Sequence, residues 1–346
     1  MTRQVDLLVA GGGPAGLVTA LHAARAGLDV EVWEPRPGAV DKACGEGLMP
    51  GALAALQELG VDPPGHAFHG IRYVDGDRRA DAAFRAGAGR GIRRTTLHGA
   101  LAAAVAAAGA RVEQRAVGEL RQDDEGVTVD GVRARHLVAA DGLHSPVRRG
   151  LGLDPAPARH RRYGLRRHFR TAPWSPYVEV HWAPEVEAYV TPVADDLVGV
   201  AVLASSRGTF DDRLAALPGL QSLLAGAEPA SDVRGAGPLR QRVRRRVAGR
   251  VLLVGDAAGY VDALTGEGLA LAFAQAGAAV RAITDGAPRR YDRDWARLTR
   301  RYRWLTGALL LGTRPRPARR ALVPAARLLP PLFDGAVNGL ARPVGA

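Results

Sequence analysis

The chain has 346 residues, of which 47% are hydrophobic, 24% charged and 5% aromatic. That balance excludes the disordered and fibrous classes and fits one large domain or two intertwined ones. The formal net charge is +12, from 47 Lys+Arg against 35 Asp+Glu, and Lys42 is the one lysine.

Arginine binds phosphate well, and a strongly basic chain raises the question of nucleic acid. The arginines are spread along the sequence without a helix-turn-helix, zinc-finger or RNA-binding motif, so no nucleic-acid partner is expected. Cys44 is the one cysteine, which rules out an intrachain disulfide and suits a reducing cytoplasm. No run reaches the roughly 18 apolar residues of a membrane span, and the N-terminus lacks the basic start of a signal peptide. The nine histidines are scattered without H-E-x-x-H or paired spacing, so no metal site is expected.

Residues 5–10 predict a short buried strand, followed at once by Gly11-Gly12-Gly13-Pro14-Ala15-Gly16, a match to G-x-G-x-x-G. Residues 17–26 predict a helix stopped by Gly27, and residues 28–33 a second strand ending at Glu34. These are the parts of a dinucleotide-binding unit. Gly11 permits the tight turn, Gly13 lets the backbone approach a pyrophosphate, and Gly16 allows close helix–strand packing. The helix start at Pro14 and Ala15 offers free N–H groups and a positive dipole. Glu34 sits where a carboxylate accepts ribose hydroxyls.

Residues 136–140 predict another strand, leading into Asp141-Gly142-Leu143-His144-Ser145-Pro146-Val147-Arg148. Between 160 and 205 the texture changes. Residues 178–182 and 188–191 alternate and 197–203 is a continuous apolar run, which predicts antiparallel strands. Residues 250–254 predict a buried strand before Gly255-Asp256-Ala257-Ala258-Gly259. Thr265-Gly266-Glu267-Gly268 then opens a helix through Ile283. In a last helix, Tyr291, Trp295, Leu298, Tyr302, Leu305 and Leu309 share one face. The tail beyond 311 is basic and apolar together. It either packs on the protein or rests on an anionic membrane surface while admitting a lipid-like substrate.

With these motifs in this order, the sequence resembles the FAD-dependent oxidoreductases of the p-hydroxybenzoate hydroxylase-like superfamily. The resemblance rests on the glycine fingerprint with Glu34-Pro35-Arg36, the Asp141-Gly142 motif with Ser145 and Arg148, and Gly255-Asp256. It implies an α/β (α+β) fold. A Rossmann-like FAD-binding domain (1–70, 92–155 and 235–288) would carry an inserted antiparallel β-sheet substrate domain (71–91 and 156–234) and a helical C-terminal segment (289–346). It also implies non-covalent FAD. Gly11, Gly13, Pro14, Ala15 and Gly16 would meet the pyrophosphate, and Glu34 the ribose with Arg36 beside it. Arg94, in Arg94-Thr95-Thr96-Leu97, would touch FAD, Asp256 would bind its ribityl–pyrophosphate region, and Asp141 and Gly255 would bind the cofactor with it. Gly266 and Gly268 would face the flavin pyrimidine end, where a helix N-terminus stabilises negative charge. Taken singly, Asp141 and Asp256 read as turn or cap residues.

Aromatic hydroxylases of this superfamily carry G-D-A-A-H and then G-Q-G, whereas this chain has Gly259 for the His and Glu267 for the Gln. That form, with Cys44-Gly45-Glu46-Gly47-Leu48, is similar to the geranylgeranyl-reductase-related branch. The W-x-W-x-I-P of flavin-dependent halogenases keeps only Pro192 here, and halogenation is not expected. Cys44 is either a thiol beside the flavin or a small residue that permits a tight glycine-flanked turn. Arg166, His168, His181 and Tyr189 are the polar candidates for the substrate pocket, with Cys44, His181 and Tyr189 as the catalytic set.

The favoured expectation is a monooxygenase of secondary metabolism, cytoplasmic and with the tail as its contact to the inner membrane face. It would take NAD(P)H as transient reductant and O2 as co-substrate, and hydroxylate a hydrophobic phenolic molecule through a C4a-hydroperoxyflavin. The alternatives are a geranylgeranyl-reductase-like enzyme that saturates isoprenoid C=C bonds, and a flavoprotein without turnover.

Overall fold

The apolar run at the N-terminus becomes β1 (Arg3–Ala10), buried at Leu7, Leu8 and Val9 because it has a parallel neighbour on each side. The structure, a computed structural model, describes residues 3–155, 161–313 and 315–344. Residues 156–160 at the head of the expected substrate segment, and Arg314 of the basic tail, lie outside the described residues. Pro14, which has no N–H to lose, opens α1 (Pro14–Arg25), and Gly27 at φ +78° ends the turn after it. β2 (Val30–Trp33) follows. The chain then leaves for a hairpin, β3 (Gly70–Asp75) and β4 (Arg78–Ala83), and returns through α2 (Arg94–Ala107), β5 (Arg111–Glu113) and β6 (Val132–Ala139).

A second excursion forms β7 (Tyr163–Arg170), β8 (Val178–Trp182), β9 (Val186–Ala194) and β10 (Leu197–Ala204). The chain comes back as β11 (Val251–Leu253) and α3 (Gly268–Thr284). Five strands of the eight-stranded first sheet run β11-β6-β1-β2-β5 in parallel, short antiparallel strands add beside β11 and β6, and α1, α2 and α3 pack around its apolar core. The second runs β7-β10-β9-β8-β3-β4.

The second sheet is antiparallel except at one seam, where β8 pairs parallel with β3. The one parallel pairing has a topological reason. The two strands come from separate excursions with the FAD-domain chain between them, so no hairpin dictates their direction. One face of this sheet packs Val190, Val198, Val200 and Val202 against two short helices through Phe210 and Leu220. The other face looks toward the first domain.

Three helices close the molecule: α4 (Tyr291–Gly312), α5 (Arg316–Leu328) and α6 (Pro330–Ala341). The stripe expected on α4 is buried at Tyr291, Trp295 and Tyr302, while Leu305 and Leu309 line a cavity instead. A 4-3 spacing averages 3.5 residues and slips about 20° per heptad on a straight helix, so the far end of the stripe rotates off its first partner. Farther on, Val323, Phe333 and Val337 pack on Ala80, Ala82, Val180 and Trp182 of the second sheet. The Asn338 side-chain amide clamps this wall, donating to Ala83 O at 2.9 Å and accepting from Arg85 N at 2.8 Å.

The hydroxyl of fully buried Tyr291 donates to Leu253 O at 2.9 Å and ties α4 to the sheet. Tyr291→Phe is expected to cost about 1 kcal/mol in urea unfolding; an unchanged midpoint would show that this bond contributes nothing.

Candidate active site and cofactor cradle

The cradle begins where β1 ends. Gly11 adopts φ +102°, and a Cβ there would lie 2.6 Å from Ala140 O. At Gly16 a Cβ would lie 1.8 Å from Gly11 O. Gly13, by contrast, faces open space, with only Arg94 Nη2 at 4.0 Å from where its Cβ would be. Glu34, buried at the end of β2, accepts from Gly12 N at 2.9 Å and from the Arg36 guanidinium at 2.6 and 2.9 Å. Arg36 N donates to it as well, at 3.1 Å. Burial pushes this carboxyl up, but the bonds from Arg36 and Gly12 outweigh it and hold it below the usual range. A carboxylate offers about four acceptor sites, and all are taken. A ribose diol therefore has to displace the half-exposed Arg36 side chain to reach Glu34.

The middle of the cradle is cationic. α2 presents Arg94, whose Nε is buried without a partner among the described residues, and one turn on His98 donates Nε2–H to Gly12 O at 3.0 Å. Lys42 and Asp256 line the same cavity. Burial lowers the Lys42 ammonium, with Arg36 and Arg94 adding to the effect. Burial raises the Asp256 carboxyl, and Lys42, Arg94 and Arg148 oppose the rise. Asp141 spends Oδ2 on Val147 N at 3.1 Å, as a cap residue does, and burial raises its carboxyl. Its Oδ1 is buried without a partner among the described residues. Arg148 staples the two Asp motifs together, donating to Leu143 O at 3.0 Å and Ala257 O at 3.1 Å.

These residues fit FAD. Open glycine backbone, a helix N-terminus and two cations make a diphosphate site, and the orphaned Arg94 Nε and Asp141 Oδ1 are polar atoms a bound nucleotide can satisfy. Gly255, Gly266 and Gly268 line the same cavity, at the loop before α3 and the start of that helix.

Sequence reasoning overlooked Glu46. It adopts φ +60°, rare outside glycine, and is buried. Its Oε1 accepts from Arg94 N at 2.8 Å, and its Oε2 accepts from His168 Nε2 at 2.6 Å. His168 Nδ1 in turn accepts from Arg166 Nη1 at 3.1 Å, and Arg166 pairs with Asp41. Arg166 and His168 thus carry a buried network that fastens the Cys44 loop to β7. Cys44 lines the cavity, and its Sγ accepts Glu46 N–H at 3.4 Å. The only signal in the sequence was a carboxylate between two glycines.

From the cradle the cavity continues between the second sheet and the tail helices, enclosing about 1240 Å³ in all. Ligand pockets typically span ~300–1,000 Å³, so there is room beyond a cofactor. Met49, Phe68, Val178, Val180, Leu309 and Phe333 make the far chamber apolar. Tyr189 lines it, with its hydroxyl donated to Leu264 O at 2.9 Å and its phenol raised by burial. His181 does not face this chamber. The register pairs Val180 with Tyr189 and His181 with Ala188, so strand alternation sends His181 to the opposite face, where it meets Glu179 at 3.0 Å. The two expected substrate contacts are on different sides of the sheet.

Glu267, at the start of α3, turns into a separate cavity of about 440 Å³. Its Oε2 has no partner among the described residues, and burial pushes its carboxyl up to about 7 against the pull of Arg301 and Thr265. No group of three or more His, Cys, Asp or Glu that could hold a metal occurs among the described residues.

Residues 4–285 match the family model described as an FAD binding domain. A menaquinone reductase of Mycolicibacterium smegmatis is 29% identical over 337 residues, 86% of this chain and 81% of the relative. A digeranylgeranylglycerophospholipid reductase of Methanopyrus kandleri is 30% identical over 297 residues, 77% of this chain and 76% of the relative. A solved flavin-dependent halogenase superposes with a TM-score of 0.77 at 22% identity, over 89% of this chain and 63% of its own. That last likeness concerns the fold alone. The chain belongs to the FAD binding domain family, in its geranylgeranyl-reductase-related branch, and is an FAD-dependent oxidoreductase.

Two substitutions test this geometry. Glu46→Gln sets an amide N–H against His168 Nε2–H and is expected to cost about 2 kcal/mol of stability and to speed Cys44 alkylation; neither change would mean that the network does not hold the loop. Glu267 binds its proton more tightly folded than unfolded, so its contribution falls as pH rises from about 4.5 to about 7. Glu267→Gln is therefore expected to raise the melting temperature of the FAD-loaded protein at pH 8 and to leave it nearly unchanged at pH 4. Equal effects at both pH values would contradict this.

Proposed function

We propose that the protein uses FAD to saturate carbon–carbon double bonds of an isoprenoid chain held in the apolar chamber. The observation that carries this reading is the continuity of that chamber with the cofactor cradle in one cavity. When bound and reduced by NAD(P)H, FAD would supply the hydride for one alkene carbon, and the other carbon would need a proton. Met49, Phe68, Val178 and Leu309 align an aliphatic chain and exclude water, which an uncharged substrate requires. We assign that proton to Cys44 Sγ. That sulfur already accepts a bond from Glu46 N, which leaves its hydrogen free to point into the cavity.

Relatives named as reductases of a digeranylgeranyl lipid and of menaquinone support this reading over hydroxylation. The hydroxylase expectation rested mainly on the small size of the chain and the Asp141-Gly142 motif, with His181 and Tyr189 as the candidate contacts to a phenol or carbonyl. His181 faces away, and the Tyr189 hydroxyl is spent on Leu264 O.

The test is anaerobic. Protein reduced with NAD(P)H is mixed with a geranylgeranyl lipid or menaquinone. Flavin reoxidation without O2, and a product heavier by one H2 for each double bond reduced, are expected. Cys44→Ala is expected to slow this step about 100-fold with FAD content unchanged. Dependence on O2 with an oxygenated product would overturn the proposal.

A further inference from the structure

Eight large hydrophobic side chains stand exposed among the described residues, and five of them lie between positions 304 and 332: Trp304, Leu311, Leu328, Leu329 and Leu332. Single exposed apolar residues are ordinary; this concentration is not. It coincides with the wall of the apolar chamber. Trp304 lines the chamber and is also 70% exposed, so it stands at the mouth. Leu311 follows seven residues later on the same face of α4. Leu328, Leu329 and Leu332 occupy the junction of α5 and α6, the helices that contribute Leu322 and Leu340 to the chamber.

The charge of this segment is one-sided. Residues 295–333 hold nine arginines and no Asp or Glu, and Arg300, Arg303, Arg320 and Arg327 are exposed. Apolar side chains among exposed arginines such as Arg300, Arg303, Arg320 and Arg327 match a surface with an anionic edge and an apolar interior, which is a bilayer containing anionic lipid. A second copy of this chain matches it poorly, because arginine would face arginine.

We propose that this face docks on an anionic lipid bilayer, with Trp304 and the 328–332 turn at headgroup depth and the chamber mouth open to the membrane. The docking rests on the surface alone; that a lipid substrate enters by this route rests on the reductase reading above.

The experiment uses the full-length, FAD-loaded protein with vesicles of phosphatidylcholine, with and without phosphatidylglycerol. Sedimentation with the phosphatidylglycerol vesicles, a blue shift of tryptophan emission and release by salt are expected. The double variant Leu328→Asp, Leu332→Asp should bind about tenfold more weakly, whereas Leu223→Asp, exposed elsewhere, should bind as the parent does. Turnover of a detergent-dispersed substrate should be unchanged in the double variant, and turnover of a bilayer-dissolved one about tenfold lower. Equal binding to both vesicle types, or by parent and double variant, would overturn the docking. So would conversion of a dimer to a monomer by the double variant, which would make a second copy the occupant. Failed vesicle binding with successful anaerobic reduction would remove the docking and leave the reductase reading intact.

Discussion

At Gly16 there is no room for a side chain: a Cβ would lie 1.8 Å from the Gly11 carbonyl oxygen. That contact presses the N-terminus of α1 onto the end of β1, and the cradle depends on it. With the helix held there, its free N–H groups and dipole open over the ends of β1 and β6. His98 and Arg94 reach the same loop from α2, and Arg148 brings the Asp141 and Asp256 loops up to it. Arg94 Nε and Asp141 Oδ1, buried polar atoms without a partner among the described residues, remain at this convergence. A tightly packed protein leaves such atoms where a ligand completes them.

The second half of the site exists because two excursions from one domain pair with each other. β3 and β8, from separate insertions, meet in parallel and put Ile71, Val178 and Val180 on one wall. Glu46 fastens the first domain to that sheet, with Arg94 N on one oxygen and His168 on the other. The tail supplies the remaining wall. The cofactor cradle and the apolar chamber therefore meet at a seam of three parts, within one cavity.

The β1–α1–β2 unit and its glycines were legible in the sequence because the physical requirements there are local: a turn, a helix start and a strand of continuous apolar residues; Arg94 came from the family resemblance alone. The face of His181 was not. Residues 178–182 are buried on both sides, so the usual polar–apolar contrast along a strand is absent and only the pairing with β9 decides. Glu46 was hidden because nothing in the sequence shows that a residue between two glycines will adopt φ +60° and bridge two domains. The tail was half legible. Its stripe predicted a packed helix, but the stripe serves two partners in succession, the FAD domain and then the chamber. The choice between hydroxylation and reduction lay beyond the cofactor motifs, which both chemistries share.

The central claim is that an aliphatic chain lies in the apolar chamber directly against the cofactor. The visible spectrum of the oxidised, FAD-loaded protein tests it during titration with isoprenoid alcohols of increasing length, for the parent and for Leu309→Trp, which fills the chamber. The expected result is a saturable shift of the flavin bands that strengthens with chain length and is lost in Leu309→Trp, while FAD affinity stays the same. Binding of the alcohols with no change in the flavin bands, or an equal shift in both proteins, would contradict the account.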